Sequence, residues 1–100
     1  MPKRSKDWNE GLAQDLHDKK FAQEFVLAAL EEGVSLQRIL GKIVRSIGVS
    51  EYAKKAGMAS SNLLRAVHPS HNPTQATLNR LLAPLGLRLT VAPIRRKAAA

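Results

Sequence analysis

The stretch EYAKKAGMASSNLLRAV, residues 51–67, decides the fold because two short helical patterns meet there at a single glycine. Two helices that cross steeply need a tight turn whose first residue commonly adopts positive φ, and Gly57 does this without strain. The small Ala53 allows close approach before the turn, and Leu63 fills the space between the helices. This order of residues predicts a helix-turn-helix. Its buried side is predicted to comprise Tyr52, Ala56, Met58, Leu63 and Val67.

Apolar helical patterns flank this stretch on both sides. Ser35 is predicted to cap a helix that continues to about Ile47, where Gly48 ends it. Ser50 is predicted to cap a short helix over 51–56. The chain is therefore predicted to be all-α. A plain helical hairpin in a protein-binding bundle is the competing interpretation of the same spacing.

After the helix-turn-helix, prolines and an asparagine predict a loop over 68–73. A leucine-patterned helix follows, beginning at Pro73 or Thr74. The alternation in LRLTV, residues 87–91, then predicts a short strand. Within this chain such a strand has no partner, so we expect it to pair with a second copy across a two-fold axis. The dimerisation residues are predicted to be Leu87, Leu89 and Val91, and a frayed extended tail is the alternative.

These patterns divide the chain into four parts. Residues 1–6 are predicted to be a disordered basic tail, and 7–33 an acidic N-terminal helical segment. Residues 34–91 are predicted to form the helix-turn-helix domain with its C-terminal strand. Residues 92–100 are predicted to be a flexible basic tail.

Charge is distributed unevenly along the chain. The net charge is +8, and residues 52–100 carry eight basic side chains but neither Asp nor Glu. By contrast, residues 7–32 hold seven acidic side chains and two lysines, a net charge of −5. A basic half without carboxylates favours a polyanionic partner, double-stranded DNA above all, although a merely basic soluble surface has the same composition.

Other classes of protein lack support in the sequence. There is no cysteine, and the longest apolar run, at 25–30, is too short to cross a membrane. The N-terminus lacks the apolar core of a signal peptide, so we expect a cytoplasmic protein. His68 and His71 have no third metal ligand nearby, so no metal or other cofactor is expected. Without an arrangement of nucleophile, base and orienting group, we expect no enzymatic activity.

The second helix of a helix-turn-helix enters the major groove, and its early exposed positions contact bases. Asn62 is suited to an adenine edge and Arg65 to guanine or phosphate. Lysines of the first helix and polar residues of the following loop are suited to phosphate contacts. The predicted DNA-binding residues are Ser50, Lys54, Lys55, Ser60, Ser61, Asn62, Arg65, His71, Asn72 and Thr74.

The stretch GMASSNLLRAVHPSHNPTQATLNRLLAPLGLRLTV, together with LHDKKFAQEFVLAALEEG near the N-terminus, resembles the HigA-like addiction-module antidote proteins. The resemblance covers about residues 8–91. It implies a lambda-repressor-like (XRE, or Cro/C1) domain of five helices, with an N-terminal helical extension and a C-terminal strand for dimerisation.

The resemblance also implies an antitoxin of a type II toxin–antitoxin module. Such a protein neutralises a small, basic, RelE-like mRNA interferase and binds its own operator as a homodimer, which represses the operon. The acidic N-terminal segment is the expected toxin contact. The predicted toxin-binding residues are Asp7, Trp8, Glu10, Leu12 and Asp15. Phe21 and Phe25 are expected to pack in the helical core, with a role as further toxin anchors as the alternative.

Two other functions remain open at this level. The chain could be a stand-alone or phage-derived repressor without a toxin. It could also be a protein-only adaptor whose basic half meets acidic proteins. Salt dependence distinguishes the adaptor from the DNA-binding proteins, because displacement of counterions from DNA makes binding strongly sensitive to salt.

Overall fold

The computed structural model describes residues 11–12 and 14–94, and it is all-α. Residues 11–12 and 14–16 are helical. The longer elements follow in chain order, and no strand occurs within the described residues. They are α1 (Lys19–Glu31), α2 (Leu36–Ile47), α3 (Val49–Ala56), α4 (Ser60–Ala66) and α5 (Gln75–Leu82), followed by a 3₁₀ turn at Ala83–Leu85. The predicted basic tails, 1–6 and most of 92–100, lie outside the described residues.

Side-chain caps start three of these helices. Asp18 accepts a hydrogen bond from the Lys20 amide, and Thr74 accepts one from the Thr77 amide. Ser35 accepts from the Arg38 amide, which confirms the predicted cap. Each cap satisfies an amide that has no partner inside its own helix.

The predicted cap at Ser50 is wrong. Helix α3 begins at Val49, and its N-cap is Gly48, whose φ is 121°. The Tyr52 amide donates to the Gly48 carbonyl at 2.9 Å, so Ser50 already lies inside the first turn. A single residue joins α2 to α3, and only glycine adopts this φ without strain. Ser50 is nevertheless exposed.

The turn between α3 and α4 confirms the role predicted for Gly57, which has φ 69° and ψ 39°. The Gly57 amide donates to the Lys54 carbonyl at 3.2 Å, and the Met58 amide donates to the Ala53 carbonyl at 3.0 Å. This pair of bonds is a Schellman motif, which ends α3 and redirects the chain into α4.

One core unites the described helices. Four of the five side chains predicted to be buried around Gly57 are buried, and Met58 is half-buried. The N-terminal segment contributes to the same core through Leu12, Leu16, Ala22 and Val26. The phenol of Tyr52 is fully buried and donates to the Leu81 carbonyl at 2.5 Å, which ties α3 to α5. Burial raises the pKa of Tyr52.

The C-terminal segment 87–94 has no regular secondary structure in the single chain. Its first part lies on the core, where Leu87 and Leu89 are half-buried. The Leu89 amide donates to the Asn79 side chain at 2.6 Å. Val91, by contrast, is 95% exposed. The strand that would pair two copies therefore stays a prediction.

Candidate nucleic-acid interface

Helix α4 has one buried side and one exposed side, and the exposed side is mostly polar. Leu63 and Ala66 are buried, whereas Ser61, Asn62 and Arg65 are exposed. The structure therefore leaves these three predicted DNA-binding side chains accessible, and Ser60 is half-buried at the start of the helix.

A groove of about 390 Å³ lies between α4, the loop after it and α5. It brings together three predicted residues, Asn62, Arg65 and His71. It also includes Arg80, which sequence reasoning missed. The residues that line this first groove are Met58, Asn62, Arg65, Ala66, His71, Ala76, Thr77 and Arg80. They include amide, guanidinium and imidazole groups but no carboxylate, so the groove suits an anionic ligand with hydrogen-bonding edges.

Helical spacing indicates that Arg80 faces outward, although it does not indicate that Arg80 lies beside α4. Leu81 and Leu82 are buried, so the opposite side of α5 faces outward. Ala76 lies one turn before Arg80, on the same side of the helix, and it also lines the first groove.

The remaining predicted DNA-binding residues lie outside the first groove. Ser50, Lys54 and Lys55 are exposed on α3, and Lys55 lies 3.6 Å from the Glu51 carboxylate. Asn72 is exposed in the loop, and Thr74 caps α5. The structure thus brings three of the ten residues into one groove and distributes the others around it.

Gln37 holds the loop that carries His71, and sequence reasoning missed it. Its side-chain nitrogen donates toward three main-chain carbonyls, those of Ala66 at 2.9 Å, His68 at 3.0 Å and His71 at 2.9 Å. Inside the loop, the Ser70 amide donates to Nδ1 of His68 at 3.1 Å. These bonds fix the loop backbone beside the C-terminal end of α4. Nothing in the sequence pattern around Gln37 indicates this contact.

The toxin-binding candidates separate into three groups. Asp7, Trp8 and Glu10 lie outside the described residues. Leu12 is only 6% exposed and packs in the core, so its side chain is not on the surface. Asp15 is exposed.

The predicted core role of Phe21 and Phe25 agrees with their half-buried positions. Their ring centroids are 6.4 Å apart, and both rings pack against the buried core.

A polar contact joins the N-terminal segment to α3. Nε2 of His17 lies 3.2 Å from a carboxylate oxygen of Glu51. The hydrogen bond with His17 is the largest cause that holds the pKa of Glu51 below its ordinary value of 4.5; desolvation opposes it, and the charge of Lys55 adds to the lowering. All three side chains are exposed, so this contact orients the segment more than it stabilises the fold.

Two negative observations apply to the described residues alone. No group of three or more His, Cys, Asp or Glu side chains within them could hold a metal ion. None of the helices in residues 11–12 and 14–94 has the length and apolar character needed to cross a bilayer.

The fold and the groove define a small protein whose described residues are all-helical and whose first groove is lined by basic and polar side chains without a carboxylate. The model of a family described as probable addiction module antidote protein matches residues 8–93, most of the chain. The chain belongs to this family and is therefore an antitoxin of an addiction module, with a toxin as partner. Comparisons with curated proteins and with solved structures gave no match.

Proposed function

We propose that this antitoxin has a HigA-like, lambda-repressor-type helix-turn-helix and binds operator DNA as a homodimer, thereby repressing its own operon. It neutralises a small, basic, RelE-like mRNA interferase and acts in the cytoplasm by binding alone, without catalysis. The observation that supports operator binding is the convergence of Asn62, Arg65 and His71, together with Arg80, around one groove beside the Gly57 turn.

The chemistry of this groove suits the edge and backbone of a duplex. The Asn62 amide both donates and accepts, as adenine recognition requires, and the Arg65 guanidinium matches the two acceptors of guanine. Arg80 and His71, which also line the groove, have side chains that suit phosphate oxygens. Lys54 and Lys55 extend the basic surface along α3.

Charge supports a separate toxin contact. The segment 7–32 has a net charge of −5, and its exposed carboxylates complement a basic toxin. Because Leu12 and Leu16 anchor the segment in the core, Asp15 is presented from a fixed position. Homodimerisation is assigned to the C-terminal segment, where Val91 and Ile94 are 95% and 77% exposed.

Operator binding is tested by fluorescence anisotropy with the promoter of the operon and a scrambled duplex of equal length. Arg65→Ala should cost roughly 1–3 kcal/mol on the promoter and relax specificity. Lys20→Ala, an exposed cation on α1, is the matched control and should bind as the wild type does. Equal losses on both duplexes would assign Arg65 to phosphate contact, and absence of any duplex binding would refute the proposal.

Neutralisation is tested by growth. The open reading frame adjacent to this gene is expressed alone and then with this protein, and culture density is followed. Arrest that the antitoxin relieves is expected. The triple reversal Asp7→Lys, Glu10→Lys and Asp15→Lys should weaken toxin binding in isothermal titration and leave promoter affinity unchanged. Unchanged toxin affinity would remove the acidic segment from the toxin interface.

A further inference from the structure

Helix α2 carries a basic face that the groove on α4 does not include. Arg38, Lys42 and Arg45 follow one another at spacings of four and three residues, so they lie on one side of the helix. All three are exposed. The opposite side is buried through Ile39, Leu40, Ile43 and Val44. The segment 33–50, which contains α2, has no acidic residue.

This basic face borders a second groove, of about 680 Å³. The second groove lies between α2 and the residues that follow α4. Its lining consists of Gln37, Arg38, Lys42, Arg45, Ser46, Val67 and Pro69. Three of the seven side chains are cationic and none is acidic, so the groove complements a negatively charged ligand.

Gly41 shapes the position of one of these cations. A Cβ at Gly41 would lie 2.9 Å from Nη1 of Arg45 and 3.8 Å from Cβ of Val67. The guanidinium of Arg45 therefore lies along α2, over the space that a larger residue at 41 would fill. This position holds the Arg45 side chain beside the wall of the second groove that Val67 forms.

Arg38, Lys42 and Arg45 have no acidic partner among residues 11–12 and 14–94. The ion pairs among the described residues are those of Glu51 with His17 and with Lys55. Like charges one helical turn apart repel one another, so the arrangement on α2 slightly disfavours the free protein. An anion bound among them would remove that repulsion.

The two grooves are neighbours. Ala66 lines the first groove and Val67, the next residue, lines the second. Gln37 lines the second groove, and its amide bonds to the carbonyls of Ala66 and His71, which both line the first groove. The loop and its bonds to Gln37 therefore connect the walls of the two grooves.

We propose that the second groove binds the phosphodiester backbone of the same duplex, next to the segment read by α4. This inference rests on the proposed operator binding. The basic face cannot attract a basic toxin, whereas a duplex presents phosphates at regular intervals beyond the bases that α4 contacts. Arg38 and Lys42 bind these phosphates directly, and Arg45 adds its charge from the groove wall.

The test compares two double variants, each of which removes two positive charges. Arg38→Gln with Lys42→Gln alters the second groove, and Lys19→Gln with Lys20→Gln is the control on exposed positions of α1. Anisotropy titrations use the promoter duplex and a scrambled duplex at several salt concentrations. The α2 variant should bind both duplexes more weakly, by about one decade per contact near 0.1 M salt. The slope of the logarithm of its affinity against the logarithm of the salt concentration should be shallower by about 1.8.

Duplex length gives a second measurement. Trimming base pairs from the ends of the promoter duplex should weaken the wild type at the point where the flanking phosphates are lost. The α2 variant should not respond to that trimming step, because it no longer makes those contacts. Circular dichroism checks that both variants retain the helical content of the wild type.

The outcomes separate this inference from the proposed function. If the wild type binds the promoter and the α2 variant matches the control in affinity and slope, the second groove is not a phosphate site while operator binding stands. If the wild type binds neither duplex, operator binding itself fails. If the α2 variant loses binding to poly-glutamate but not to DNA, the groove serves an acidic protein and the inference is overturned.

Discussion

The side-chain amide of Gln37 lies 2.9 Å from the main-chain carbonyl of His71, although 34 residues separate the two along the chain. The same nitrogen donates toward the carbonyls of Ala66 and His68. One side chain on α2 thus fixes the end of α4 and the loop beyond it. The loop runs between the two basic grooves, so its position affects both.

Replacing Gln37 with Met should therefore change stability and DNA binding together. Three carbonyls lose a common donor, and because those of His68 and His71 are exposed and can bind water, the expected loss is about 0.5–1.5 kcal/mol. Urea unfolding should show this loss, and anisotropy should show weaker promoter binding. Gln14→Met is the control, since Gln14 is an exposed glutamine. Wild-type stability in Gln37→Met would mean that the loop holds its position without this side chain.

Gly57→Ala should destabilise the fold by about 1–2 kcal/mol because a side chain disfavours the left-handed conformation. No atom lies within 4 Å of the position that a Cβ would occupy, so the backbone alone causes the penalty. Gly57→Asn should cost less, since asparagine tolerates this region better. Equal losses for alanine and asparagine in urea unfolding would contradict this explanation.

Tyr52→Phe should cost about 1–3 kcal/mol, because the buried carbonyl of Leu81 loses its donor while the ring still fills its site. The measurement is chemical unfolding of the variant beside the wild type. A change of a few tenths of a kcal/mol would show that water satisfies the carbonyl instead.

The buried phenol also predicts how stability depends on alkaline pH. The pKa of Tyr52 is raised in the folded chain, so the neutral form is favoured there. In the unfolded chain Tyr52 releases its proton at pH about 10. The contribution of the neutral phenol to the free energy of unfolding is therefore complete below that pH and is lost as pH rises toward the folded pKa. Ultraviolet absorbance of tyrosinate should appear together with loss of helical circular dichroism. Ionisation that precedes unfolding would refute this prediction.

Glu51 predicts an acid-side effect of the opposite sign. The pKa of Glu51 is below 4.5 in the folded chain. Its contribution to the free energy of unfolding is therefore present above the unfolded pKa and is lost as pH falls through the folded pKa. In NMR titrations of the carboxyl carbon, His17→Ala should raise the pKa of Glu51 more than Lys55→Ala does, since the hydrogen bond with His17 is the larger cause. The reverse order would make Lys55 the dominant partner.

Local patterns predicted much of the fold. Ser35, Gly57 and Thr74 act through bonds to residues no more than five positions away, so spacing identified Ser35 and Gly57 and limited the start of α5 to Pro73 or Thr74. The cap at Ser50 was predicted wrongly because Gly48 adopts a positive φ that composition does not reveal. Leu12 was assigned to a toxin surface, but it packs in the core with residues far along the chain.

The part of the candidate site that lies on one helix was predicted, because it too depends on local spacing. Asn62 and Arg65 share the outer face of α4, and helical periodicity places them there. Arg80 joins them only because α5 packs beside α4. Gln37 reaches the loop only because α2 packs beside the end of α4.

The sequence by itself determined the helices, the turn at Gly57 and the separation of an acidic segment from a basic half, because each depends on neighbouring residues or on composition. The tertiary structure decided which polar side chains share a groove, which apolar ones leave the surface and which side chain holds the loop. Those outcomes depend on contacts between residues about 15 to 60 positions apart. Such contacts follow from how the helices pack. Because the hydrophobic effect is non-directional, the apolar pattern of a sequence does not specify which helices become neighbours.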